Sequence, residues 1–325
     1  AHPCAALNIS RAPPCRVEFN AEQATAPMPD NQFPCDLATA AQHRPLHSLT
    51  KLGAQAVTAI HFISGLPRSG STLLAALLRQ NPRFEAGMSG PLAGLFDALL
   101  AQMSARNEFS VFLDDAKRER LLRGLFDSFY ADCTAEVVFD TNRGWCARMP
   151  AIAQLFPGAK VIACVRELPW VIDSIERLVQ RNVFSPSSMF DYSPGGTVYT
   201  RASQVAGQEG MVGGPYDALK QACYGAQRDN LLLVQYETLS TDPARVLAAI
   251  YDFIGEPAFP HDFDNVDYDV TEFDRRAGTP GLHTVRGQVQ ALPRDTVLPP
   301  DLFGRFVNDA FWTDPSKMPD NLRVV

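Results

Sequence analysis

Val57-Thr-Ala-Ile-His-Phe-Ile63, Ser64-Gly-Leu-Pro-Arg-Ser-Gly-Ser-Thr72 and Leu73-Leu-Ala-Ala-Leu-Leu78 follow one another without interruption. The first is a short β-prone run, the second a Gly- and Ser-rich turn, and the third reads as a helix. In that order, backbone N–H groups at a helix start can close around an anion. Gly65 and Gly70 permit close backbone approach, Ser71 and Thr72 add hydroxyl donors, and Arg68 supplies a charged fork suited to phosphate or sulfate. Pro67 and Ser69 complete the turn. The segment lacks GxxxxGK[ST], so the ordinary nucleotide-triphosphatase loop fits poorly.

Outward from this point the chain alternates. Glu136-Val-Val-Phe139, Lys160-Val-Ile-Ala-Cys-Val165 and Leu231-Leu-Leu-Val-Gln235 read as strands. Helices are expected at about 91–104, 117–132, 145–155, from near Pro169 through Val179, at 215–228 and at 242–254. Residues 183–213, rich in Gly, Ser and Tyr, read as a long loop or lid with room for a short helix. From Gly255 onward the chain is loop-rich, closing with a short helix near 300–311. Such alternation implies an α/β fold of three layers, a mostly parallel sheet flanked by helices, with the site at the carboxyl edge of its strands.

Residues 1–55 carry seven prolines and no sustained period, and read as an extended or partly disordered arm; 56–325 reads as a single domain. With 29 Lys and Arg against 36 Asp and Glu, the net charge of -7 argues against a nucleic-acid footprint, while leaving room for a local basic pocket. No apolar run is long enough for a membrane span. The seven cysteines form no CxxC pair, and the location expected is cytoplasmic. His261-Asp-Phe-Asp264 with Asp267 and Asp269 reads as an acidic surface loop, and no metal is expected.

A second anion-suited element is Val161-Ile-Ala-Cys-Val-Arg-Glu-Leu-Pro-Trp-Val-Ile-Asp-Ser174. Arg166 ends a strand and Ser174 lies early in the following helix, so both can meet one phosphate. These two elements resemble those of sulfotransferases that use 3'-phosphoadenosine-5'-phosphosulfate (PAPS). Leu66-Pro-Arg-Ser-Gly-Ser-Thr-Leu-Leu74 is similar to their phosphosulfate loop, in the Arg-bearing version of tyrosylprotein and many bacterial enzymes. The segment from Val161 to Ser174 resembles the strand and helix that hold the 3'-phosphate. Leu231-Leu-Leu-Val-Gln-Tyr-Glu-Thr-Leu239 and the tail around Thr279–Gly287 extend the resemblance over about 57–312. It implies a P-loop-like sulfotransferase fold, PAPS as cofactor and PAP as its product. Pro67, Arg68, Ser69, Gly70, Ser71 and Thr72 would serve the phosphosulfate, and Arg166, Ser174, Arg286 and Gly287 the 3'-phosphate.

The chemistry so implied is sulfuryl transfer to a hydroxyl on a small molecule, lipid or glycan. Arg143, just past a strand end, stands where related enzymes place a lysine near the moving group; it can stabilise charge but cannot donate a proton as lysine does. A general base is also needed. Asp140 ranks first, ahead of His283 and Glu85. The glutamate of tyrosylprotein enzymes falls here at Met88 or Ser89, which argues against a peptidyl-tyrosine acceptor. Two other classes stay open: a non-catalytic binding protein on the same fold, and a small-molecule kinase, which lacks a Walker lysine and a magnesium-binding constellation.

Overall fold

β1 (Ala59–Gly65) stops at a glycine with φ 99°. A Cβ on Gly65 would lie 2.2 Å from the Cys164 carbonyl oxygen, so the absence of a side chain lets the two segments touch. The computed structural model describes residue 57 and residues 59–185, 188–190, 196–276 and 278–325; the arm expected over 1–55 lies outside the described residues.

After β1 come α1 (Ser71–Leu78), β2 (Phe84–Ala86), α2 (Leu92–Gln102) and α3 (Asp115–Phe129), leading to β3 (Val137–Thr141). α4 (Met149–Leu155) precedes β4 (Val161–Val165), and α5 (Leu168–Arg181), α6 (Val198–Ala206) and α7 (Gly213–Tyr224) precede β5 (Leu231–Gln235). α8 (Tyr236–Thr241), α9 (Pro243–Ile254), α10 (Thr271–Arg276), α11 (Pro300–Arg305) and β6 (Arg323–Val324) complete the described chain. The helix starts follow from local chemistry. Asp114 and Asp242 accept hydrogen bonds from the Lys117 and Arg245 N–H groups, and Pro169 sits in the first turn of α5, where an N–H has no helical partner.

The strands run β2-β3-β1-β4-β5-β6, and every adjacent pair is parallel. Side chains alternate between two cores, as a pleated strand covered on both sides requires. Phe62, Val161, Ala163, Val165, Leu231 and Leu233 face one core, with Trp145, Phe126 and the buried side of α5. Ile63, Ile162, Cys164, Leu232 and Val234 face the other, against α1 and α9. The architecture is therefore a three-layer α/β fold with a parallel sheet between helices.

Two strands were not anticipated: β2, of three residues, and β6, of two. The helix expected over 145–155 is divided, a tight 3₁₀ segment at Arg143–Arg148 preceding α4. His61 is a packed histidine, its Nδ1 accepting the Lys160 N–H at 3.1 Å, and burial pulls its pKa down to about 4. Among the described residues no helix is long and apolar enough to cross a membrane.

Candidate active site

The segments leaving β1, β3, β4 and β5 line one cavity of about 490 Å³. The chain departs from β1 towards β2 and β3 on one side and β4 and β5 on the other, which leaves a crevice at the strands' carboxyl ends. That volume lies within the range of ligand pockets.

The turn after β1 owes its shape to two residues in the left-handed region, Arg68 at φ 58° and Gly70 at φ 90°. For arginine this conformation is strained, and it aims the side chain across the crevice. Arg68 Nε donates to Ser174 Oγ at 3.1 Å and Nη1 to the Leu282 carbonyl, so segments 106 and 214 residues apart meet at one guanidinium. Burial, helped by the nearby Arg166 charge, lowers the Arg68 pKa to about 10, which leaves it protonated at neutral pH. Gly70 caps α1 without a side-chain hydrogen bond, and the first turn of the helix holds no acid. Its leading N–H groups thus remain available beside Ser71 and Thr72, which line the cavity.

Arg166 leaves β4 and lies over the Tyr236 ring, 4.1 Å from its centroid. Glu237 Oε1 is 3.7 Å from Arg166 Nε, too far for a hydrogen bond, and that buried nitrogen has no acceptor among the described residues. Arg143 Nη1 is likewise buried without a hydrogen-bond partner among the described residues. Burial lowers the pKa of both guanidinium groups. The Arg143 backbone is fixed by Ser64, whose Oγ donates to the Arg143 carbonyl and accepts from the Cys146 N–H, both at 3.1 Å.

On the opposite wall, His283 is held by Asp274, which is 2% exposed. The His283 N–H donates to Asp274 Oδ2 at 2.8 Å, and His283 Nδ1 lies 2.6 Å from Asp274 Oδ1. With Nδ1–H bonded to a carboxylate, the neutral ring keeps its lone pair on Nε2. An imidazole oriented in this way by a buried carboxylate is able to accept a proton.

The cavity therefore brings together Pro67, Arg68, Gly70, Ser71 and Thr72 with Arg143, Arg166, Ser174, His283 and Arg286. It does not reach four of the residues singled out in the sequence. Ser69 is fully buried and donates to the Pro67 carbonyl at 3.3 Å. Gly287 gives its carbonyl to the Val266 N–H at 2.8 Å, outside the lining. Glu85 lies mid-strand in β2, opposite Val138 of β3, and does not line the cavity. Asp140, ranked first as the base, stands apart from the cavity lining. It is 2% exposed, and its two oxygens accept from Tyr130 OH and Trp145 Nε1, both at 2.7 Å. A carboxylate so occupied braces the loop after β3. Asp274 has no assigned part in the sequence reading, and Tyr236 reads there as mostly structural. Nothing local marks Asp274 as the partner of His283, whereas Tyr236 already stood inside a recognised segment.

Several solved structures resemble the chain. The sulfotransferase domain from the curacin biosynthetic pathway is 17% identical, with 76% of this chain and 95% of that one covered, at a TM-score of 0.48. The sulfotransferase domain of the Synechococcus PCC 7002 olefin synthase is 20% identical over 77% and 93%, at 0.40. A sulfotransferase from Alicyclobacillus acidocaldarius is 16% identical over 63% and 83%, at 0.39. A family model described as the sulfotransferase family matches residues 61–261, from within β1 to beyond α9. That span is well over half of the sequence and contains the β1 turn, Arg143, Arg166 and Ser174, and on this match the chain belongs to the sulfotransferase family.

Proposed function

We propose that this chain moves a sulfuryl group from PAPS to an acceptor hydroxyl, leaving PAP and a sulfate ester. The observation that carries the reading is the pair of buried guanidinium nitrogens, on Arg143 and Arg166, that find no acceptor among the described residues, in a cavity that no described carboxylate lines. Buried donors of this kind call for an anion. The β1 turn, Arg68 and the start of α1 would hold the phosphosulfate; Arg166, Ser174 and Arg286 would hold the 3'-phosphate. Bound there, PAPS supplies the sulfuryl group that the acceptor oxygen takes up.

The chain's own part is positioning and proton transfer. Arg68 exchanges the Leu282 carbonyl for an anionic oxygen, which draws the 279–284 loop into the binding event. His283 Nε2 accepts the proton of the attacking hydroxyl, while Asp274 keeps the ring oriented and stabilises the imidazolium that forms. Arg143, always charged, stabilises negative charge on the group in transit without giving up a proton.

Labelled PAPS incubated with an extract of the source cells tests this directly. The wild-type chain should label an acceptor and release PAP. His283→Ala should bind PAP within about threefold of wild type but transfer label roughly 100- to 10,000-fold more slowly. Full transfer by His283→Ala would move the base elsewhere; a wild-type chain that neither binds PAP nor transfers label would contradict the whole reading.

A further inference from the structure

Residues 290–298 make no backbone–backbone hydrogen bond among the described residues, so side chains must hold the segment in place. Asp173, in the second turn of α5 and fully buried, is the main anchor. Its Oδ1 accepts from the Val297 N–H at 2.7 Å and from the Thr296 hydroxyl at 3.1 Å. Its Oδ2 accepts from Arg177 Nε at 3.0 Å and lies 2.8 Å from Arg294 Nη2. Donors thus surround both oxygens of one carboxylate, as a buried charge requires. Arg177 fastens the same segment again, its Nη2 donating to the Asp295 carbonyl.

This anchoring fixes where Arg294 stands. Trp170, one turn before Asp173, has its ring centroid 5.4 Å from the Arg294 guanidinium carbon and gives its carbonyl to Nη2 at 3.4 Å. Arg294 lines the cavity together with Ser174, the residue after Asp173. Both described polar contacts of Arg294 are made by Nη2, so Nε and Nη1 are not engaged among the described residues. Burial lowers the pKa of Arg68 and of Arg166, and the charge of Arg294 lowers both further, so the three guanidinium groups share one end of the cavity. Arg68 donates there to Ser174, and Arg166 keeps its buried Nε without an acceptor among the described residues.

We propose that Arg294 is a further phosphate-binding residue of the nucleotide site and that Asp173 is the residue that positions it. Arg294 Nε and Nη1 donate to the terminal phosphate that Arg166 and Ser174 hold, a use of the guanidinium fork that a fixed plane favours. Asp173 sets that plane from behind and ties the 294–297 segment to α5. This inference rests on the nucleotide reading above.

Calorimetric titration of PAP and of 5'-AMP into the full chain and its variants tests both roles. Arg294→Ala removes a side chain that is 31% exposed and leaves Asp173 its other three donors, so it keeps the fold. It should bind PAP about tenfold or more weakly than wild type, and 5'-AMP within about threefold. Asp173→Asn keeps a carbonyl oxygen for Thr296 and Val297 but turns an NH2 group towards the two arginines, so it should free Arg294 and weaken PAP in the same way. Because Asp173 acts through Arg294, the double variant should bind PAP within about twofold of Arg294→Ala. Should Asp173→Asn not fold, Thr296→Val loosens the same anchor at an exposed position; it should weaken PAP about threefold, and not at all in the Arg294→Ala background. Unchanged PAP affinity in Arg294→Ala overturns the proposal, as does an equal loss for PAP and 5'-AMP. Anchor variants that bind PAP as wild type does, or whose losses add to that of Arg294→Ala, overturn the positioning role. A wild-type chain that binds PAP no better than 5'-AMP overturns the nucleotide reading and this inference with it.

Discussion

Asp140 separates architecture from chemistry at the scale of single residues. Burial pushes its carboxyl pKa up, and the hydrogen bonds from Tyr130 and Trp145 pull it partly back. A carboxyl whose folded pKa is raised contributes its full stability below the ordinary carboxylate range, about 4, and loses it as pH rises through the folded value. Asp140→Asn cannot titrate and keeps a carbonyl oxygen for Trp145. In urea unfolding it should therefore gain on the wild type as pH rises above about 4, and its sulfuryl transfer should persist. Asp140→Leu, by contrast, strands the Tyr130 hydroxyl and the Trp145 N–H and should cost roughly 2–4 kcal/mol. A 100-fold loss of transfer in a well-folded Asp140→Asn would return the base to Asp140. In the sequence, Asp140 and His283 were both acids or bases near an expected strand end or basic loop. What distinguishes them is occupancy, two donors on Asp140 and one carboxylate behind His283, and no local pattern encodes it. Arg68, Arg166 and Ser174 were legible because each follows a strand at a fixed short spacing, and strand ends converge on one crevice.

Among the elements, the β1 turn depends on a backbone contact that only glycine allows. An alanine methyl at Gly65 would press on the Cys164 carbonyl at 2.2 Å, at φ 99°. Gly255, at φ 74° with nothing within 4 Å of an added Cβ, ends α9 in the same conformational region. Gly65→Ala should therefore lose roughly 2–4 kcal/mol, from strain and overpacking together. Gly255→Ala should lose about 1–2 kcal/mol from strain alone. Denaturant titration of the two variants compares them; similar losses would mean that β1 and β4 can separate at no cost. The strands that pair on both edges announced themselves as apolar runs. β2 and β6 did not, because three and two residues cannot display a period of two. α6 arises within what read as a glycine-rich lid. Its start is set by reciprocal bonds between Thr197 and Thr200, a weaker sequence signal than the usual Ser or Thr followed by Glu or Gln.

For the molecule as a whole, the contrast of charge is the organising feature. In a chain of net charge -7, the cavity gathers arginines from the β1 turn, from the segments after β3 and β4, from α5 and from the tail. Composition alone pointed away from polyanionic partners and could not reveal the pocket, since its charges lie far apart in sequence and converge only through the sheet's topology. The fold class was legible from alternation, and the anion-suited part of the cavity from two motifs. The bond between His283 and Asp274, and the tie of their loop to the end of α5, became visible only on folding. The central claim is that this cavity reads the 3'-phosphate of an adenosine nucleotide, and calorimetric titration of PAP and of 5'-AMP into the same protein tests it most directly. PAP should bind at least about tenfold more tightly than 5'-AMP, the worth of a charge-assisted contact, and in Arg166→Ala the two affinities should converge. Equal affinity of the wild-type chain for PAP and 5'-AMP would contradict the account.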